Sequence, residues 1–231
     1  MKNKWLCIFL FFVTLLTSAC SQLDNYAEPA ETLTGKIIDR VTGEPLVSEQ
    51  PNGFRIRLLE TSWSETPQPE YFWGKADGTF VNTKIFAGTY EVTPVEGAFF
   101  DVEPRSIEIK GKVNIDFEVI PYLSIDVLQI ERTSPETLEV SYRFSRSKIG
   151  DKILDSRVFV STNPNVGTNI MDADLSPMRD FSEVDDIDAL SNTYVEKIEG
   201  LNPKKTYYVK VGARTNNSSK RYNFSKTYTL N

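Results

Sequence analysis

The sequence predicts an all-β chain built as two tandem β-sandwiches, and three observations carry that expectation. Apolar and polar residues alternate with period two in short runs such as Phe54-Arg55-Ile56-Arg57-Leu58 and Ile107-Glu108-Ile109, the pattern of strands with one buried face. Turn residues such as Asp77-Gly78 and Lys110-Gly111-Lys112 punctuate the runs. No stretch carries a sustained 3.6-residue apolar stripe. Of 231 residues, about 210 follow the leader, enough for two domains of roughly 100 each. Hydrophobic residues make up 40% and aromatics 12%, which supplies packed cores and argues against global disorder.

The first element, 1–19, reads as a lipoprotein signal peptide. Lys2 and Lys4 precede an apolar run from Trp5 to Leu16, and Thr17-Ser18-Ala19 lead to Cys20. The run is too short for a membrane span, which needs about 18 apolar residues or more. Cleavage before Cys20 would leave a thioether-lipidated N-terminus, so Cys20 is the expected lipidation site. Residues 20–32 are polar, contain Pro29 and show no periodicity, as a tether does.

Residues 33–120 form the first expected sandwich, with about seven strands. Gly35 to Asp39 opens it. Asp77-Gly78 is expected to close a hairpin between 71–75 and 79–81, and 113–119 reads as one last strand. Ile120-Pro121-Tyr122 marks the boundary, since proline cannot continue a ladder. The second sandwich, 121–231, has expected strands at 123–130, 137–145, 157–161, 194–198, 206–213 and 222–230. The acidic piece 162–192 is irregular, with a short helix expected within 181–190.

Absences restrict the chemistry. The chain has no histidine and only two cysteines. Cys7 leaves with the signal and Cys20 goes to lipid, so no thiol remains for a disulfide, nucleophile or zinc site. Without histidine, the Ser-His-Asp and Cys-His mechanisms and most transition-metal sites are lost. No cofactor, no metal site and no catalytic residue is expected; the chain reads as a binding or structural protein, not an enzyme. Its net charge of −6, more negative once Lys2 and Lys4 are removed, suits neither nucleic acid nor anionic lipid. The acyl chains would be the anchor.

Three fragments of the first domain resemble a carboxypeptidase-regulatory-like, or transthyretin-like, sandwich. These are Leu33-Thr34-Gly35-Lys36-Ile37-Ile38-Asp39 with Gly43-Glu44-Pro45, then Ala76-Asp77-Gly78-Thr79-Phe80, then Ala87-Gly88-Thr89-Tyr90-Glu91-Val92. Phe80, Tyr90 and Val92 are expected in its core. Leu201-Asn202-Pro203-Lys204-Lys205-Thr206-Tyr207-Tyr208-Val209-Lys210-Val211 resembles the E–F corner and F strand of a fibronectin type III domain. Tyr207 would be the corner tyrosine, its hydroxyl bonded to backbone upstream. With Cys20-Ser21-Gln22-Leu23-Asp24-Asn25-Tyr26, the whole chain resembles a family of two-domain lipoproteins of Bacteroidetes. Their genes lie beside SusC-like transporters and SusD-like nutrient-binding lipoproteins. That resemblance implies an outer-membrane, cell-surface location and an accessory role in glycan capture. The alternative is a structural subunit of the same transporter assembly that touches no sugar.

The segment 60–73 holds both tryptophans outside the leader. Indole faces stack on sugar C–H faces, and nearby Glu and Gln accept hydroxyl hydrogen bonds. Trp63, Tyr71 and Trp73 are therefore the expected ligand-binding residues, for a polysaccharide. In the competing reading Trp73 packs in the core and Trp63 caps the sandwich edge. Phe99 and Phe100 are adjacent on an extended segment and must point to opposite sides, so one is expected at the domain interface. Asp172, Asp174, Asp180, Glu183, Asp185, Asp186 and Asp188 lack EF-hand spacing and read as a solvated acidic loop.

Overall fold

A computed structural model of the chain describes residues 27–231. The expected signal peptide and the expected lipidation at Cys20 lie outside the described residues. Two sandwiches follow one another, each with its own core.

In the first, one sheet holds β1 (Glu31–Asp39), β4 (Thr79–Ile85), β7 (Lys112–Asn114) and β8 (Phe117–Val119). The facing sheet has the order β3 (Pro69–Trp73), β2 (Arg55–Glu60), β5 (Gly88–Val95), β6 (Arg105–Ile109). Leu33 and Ile37 of β1, with Phe80 of β4, meet Ile56, Leu58 and Val92 across the interior, all at or near zero exposure. Each such side chain contributes about 1.5–3 kcal/mol by leaving water. Tyr90 also joins this core.

Two expectations fail here. The turn at Asp77-Gly78 forms, with Gly78 at φ +79° and Asp77 accepting from the Thr79 amide and hydroxyl. That hydroxyl bond in particular holds the Asp77 carboxyl below its usual range. The turn joins no hairpin, however: β3 pairs with β2, and β4 pairs with β1. The chain crosses between sheets there. Nor is 113–119 one strand. It splits into β7 and β8, both parallel to β1. Between them the Ile115 carbonyl presses on Gly35, where a Cβ would sit 1.9 Å from it. Asp116 accepts from the Lys36 amide.

In the second sandwich, β13 (Tyr194–Glu199), β10 (Thr137–Ser145) and β9 (Ser124–Ser134) form one sheet. The other has the order β12 (Met178–Asp180), β11 (Ile153–Ser161), β14 (Tyr207–Thr215), β15 (Tyr222–Phe224), with β16 (Tyr228–Leu230) also on β14. Three strands of one sheet face five of the other across this core. Tyr207 begins β14 with its ring buried, and its hydroxyl accepts from the Asn202 amide at 3.0 Å. The expected strand 222–230 is broken into β15 and β16. The expected helix is α1 (Asp186–Ser191), capped by the Asp185 carboxylate on the Ile187 amide. Sequence reading missed β12, which lies inside the acidic piece. Three of its carboxylates close local turns: Asp172, Asp180 and Asp185 each accept from the amide two residues on. Asp186 instead pairs with Arg146 and Lys152.

The two sandwiches are joined along a dense seam. The amides of Phe100 and Tyr122 donate to the carbonyls of Ile120 and Ala98. Phe99 turns into the first core, while Phe100 packs edge-on against Tyr122 at 4.9 Å, beneath the Lys148 ammonium. Asn223 donates to the Ala98 carbonyl and accepts from the Leu123 amide. Glu49 of the first sandwich accepts from the Thr168 amide and hydroxyl of the second. Lys210, 3% exposed, donates to the Ser48 carbonyl at 2.6 Å and lies over the Phe224 ring.

Candidate functional site

Strand parity builds a small pocket at one end of the first sandwich. Ile56 and Leu58 of β2 face the core, so Glu60 two residues on faces the same way, past the point where the sheets still cover each other. Glu70 on β3 lies opposite Leu58, and Tyr90 on β5 lies opposite Glu60. The connection 61–68 folds back over this end. Its root is fixed by the Thr61 amide on the Thr89 carbonyl and by Ser62 Oγ, which accepts from the Thr89 amide. Ser64 Oγ accepts from the Thr66 amide, and Pro67 stiffens the return. Trp63 and Gln68 complete the pocket with Leu58, Glu60, Glu70 and Tyr90.

The cavity measures about 170 Å³, below the roughly 300–1,000 Å³ of drug-sized sites, so it suits a single small ring. Trp63 is 75% exposed and forms its rim. Tyr90 donates to the Phe86 carbonyl at 3.0 Å. Burial, with the charges of Glu60 and Glu70, pushes its hydroxyl up to about 12, so it stays neutral. Glu60 Oε1 is buried and finds no donor among the protein's own groups. A buried acceptor left in that state costs about 1–3 kcal/mol, which a ligand hydroxyl would relieve. A half-open aromatic rim beside carboxylate and amide groups is the mixture a hydroxyl-rich ring requires.

The structure separates the three expected aromatic residues. Tyr71 and Trp73 alternate with Glu70 and Phe72, so they lie on the opposite face of the sheet from the pocket. They are 43% and 40% exposed, and it is Phe72 that packs on the core, against Phe80. Register places Arg57 opposite Tyr71 and Arg55 opposite Trp73. The Arg55 guanidinium lies 4.3 Å from the Tyr71 ring centre and 5.5 Å from that of Trp73, and it pairs with Glu96. One ring surface of Tyr71 is thus already occupied by the protein's own cation. Sequence reading pointed to Trp63 and to Glu and Gln side chains near it. It missed the inward turn of Glu60 and the partnership of Tyr90, because alternation gives facing but not where a sandwich ends.

A larger cleft, about 310 Å³, lies between the sandwiches. Several of its polar groups are already engaged. Asp39 accepts from the Val41 amide, Asp126 pairs with Arg143, and Asn223 bridges the seam. Among the described residues no group of three or more Asp or Glu could hold a metal ion, and no helix is long and apolar enough to cross a membrane.

Residues 31–120 match the family described as protein of unknown function (DUF3823), N-terminal domain. The fold is that of several solved structures. A DUF3823 family protein from Bacteroides uniformis is 24% identical with a TM-score of 0.75, over 87% of this chain and 99% of that one. Another Bacteroides uniformis protein, described as a candidate carbohydrate-binding protein, is 23% identical with a TM-score of 0.74 over the same shares. A DUF3823 family protein from Parabacteroides merdae is 18% identical with a TM-score of 0.71, over 89% of this chain and all of that one. No curated protein matches the chain.

Proposed function

We propose that this chain is an accessory glycan-binding lipoprotein of the outer membrane, anchored through Cys20 and working beside SusC/SusD-like uptake components. Trp63 stacks on a sugar ring at the end of the first sandwich, and Glu60, Gln68 and Glu70 take its hydroxyls. The observation that carries this reading is the exposed Trp63 ring above a buried, donorless Glu60 oxygen. The carbohydrate-binding description of one structural relative supports it. Two carboxylates at the pocket favour neutral sugars over uronic acids, whose charge they would repel. The proposed role is binding without catalysis.

Stacking with a few hydroxyl bonds gives dissociation constants of about 10 µM to 1 mM, roughly 4–7 kcal/mol of binding free energy. Calorimetry of the full chain against a broad panel of neutral polysaccharides tests this. Binding that is lost in Trp63→Ala and weakened in Glu60→Gln, with both variants folded, is the expected result. Absence of binding across the panel, with co-purification of a SusC/SusD-like pair, would overturn it in favour of a structural subunit.

A further inference from the structure

We propose a second site, selective for anionic saccharides, on the outer face of β2 and β3, where Arg221 of the second sandwich and Arg55 of the first both attend Trp73. It goes beyond the neutral-sugar pocket and does not need it. The Trp73 ring centre has two guanidinium carbons within reach, Arg55 at 5.5 Å and Arg221 at 5.9 Å. Arg57 stands on the same face, one row along, with a single side-chain contact from Nη2 to Thr93 Oγ1 at 3.3 Å. Glu96 pairs with Arg55. Among the described residues no carboxylate lies within ion-pair distance of Arg57 or Arg221.

Three cations against one paired carboxylate make a positive patch on a chain whose net charge is −6. The Nε atoms of all three arginines are buried and without partners, so their hydration is already partly lost with nothing in return. An oxyanion taken by the remaining Nη donors would offset that loss, since a guanidinium fork matches carboxylate and sulfate oxygens two at a time. Arg221 is held in place by its turn. Asn217, itself buried, accepts from the Ser219 and Lys220 amides and donates to Thr215 Oγ1. The edges of Tyr71 and Trp73 left open by Arg55 provide the apolar contact for a sugar ring. Guanidinium forks beside partly open aromatic rings call for an acidic sugar, bearing either a uronic carboxylate or a sulfate ester.

The test is affinity electrophoresis and calorimetry of the full chain with polygalacturonate, chondroitin sulfate, neutral dextran and an oligothymidylate, at about 20 mM and about 200 mM salt. Polygalacturonate against chondroitin sulfate separates the carboxylate from the sulfate. The expected result is binding of at least one acidic polysaccharide, weaker in higher salt. Arg221→Gln should reduce it about tenfold or more, the loss of a charge-assisted hydrogen bond. Arg55→Gln should do likewise, and Arg221→Lys should retain part of it. Trp63→Ala should leave it unchanged while abolishing any neutral-sugar binding, so the two sites fail or succeed separately. Arg221 Nε is buried without a partner and Nε–H is lost in Arg221→Gln, so little change in melting temperature is expected, which keeps the result readable should Arg55→Gln not fold. The proposal is overturned if no acidic polysaccharide binds at low salt. Indifference of binding to Arg221→Gln, or equally tight binding of the oligothymidylate, also overturns it.

Discussion

Lys210 offers a prediction whose magnitude can be worked from the structure. Its ammonium is sealed between the sandwiches, beneath the Ser48 carbonyl and over Phe224. Burial pulls its pKa down to about 8, with Glu49 opposing in part. In the unfolded chain it titrates near its ordinary value of about 10.4. Between those values the unfolded chain holds a proton that the folded chain has released, so stability rises with pH across that window. Below about pH 8 both states are charged and the full burial cost stands; above about 10.4 both are neutral and it has gone. The separation between about 8 and about 10.4 corresponds to about 3 kcal/mol, with a slope of at most about 1.4 kcal/mol per pH unit. Above about pH 10 the sign reverses. Burial pushes Tyr90 and Tyr142 up to about 12, so the folded chain then keeps protons that the unfolded chain loses. Urea unfolding followed by circular dichroism between about pH 7.5 and 9.5 should therefore show rising stability. Lys210→Met removes the titrating group, leaves the Ser48 carbonyl without its donor at a cost of about 1–3 kcal/mol, and should flatten that rise. Parallel pH profiles for the two proteins would refute the reasoning.

Other expectations are as specific. Tyr207→Ala should cost about 3–5 kcal/mol, the range for deleting a buried aromatic, whereas Tyr207→Phe should cost only the Asn202 bond, about 1 kcal/mol; denaturant melts distinguish them. Gly35→Ala should lose about 3 kcal/mol or more, because its Cβ would collide with the Ile115 carbonyl and the Phe80 ring. Trp63→Ala should leave the melting temperature nearly unchanged, within about 0.5 kcal/mol, since the ring is mostly exposed. Cys20→Ala should release the protein from the membrane fraction or leave it unprocessed; full membrane retention after cleavage would refute lipidation at that residue.

Features that depend on neighbours along the chain were legible in the amino-acid order. Period-two alternation fixed which side chains of each strand share a face. Phe80, Tyr90 and Val92 therefore reach the core as expected, and Phe99 and Phe100 part to opposite sides, Phe100 toward the second sandwich. The spacing from Leu201 to Tyr207 placed a corner that closes on itself within six residues. What lies across from each face was not legible there, because strand partners are chosen by contacts distant in sequence. Asp77-Gly78 has the local chemistry of a hairpin, yet its flanking strands find different sheets. Lys210 alternates outward from the second core as a solvated lysine would, yet the first sandwich covers that side and makes it a buried group. Trp63, Tyr71 and Trp73 are close in sequence. The loop where the sandwich ends puts Trp63 over a carboxylate-lined pocket, while strand pleating turns Tyr71 and Trp73 to the other face, Tyr71 beneath Arg55 and Trp73 beside arginines from both domains.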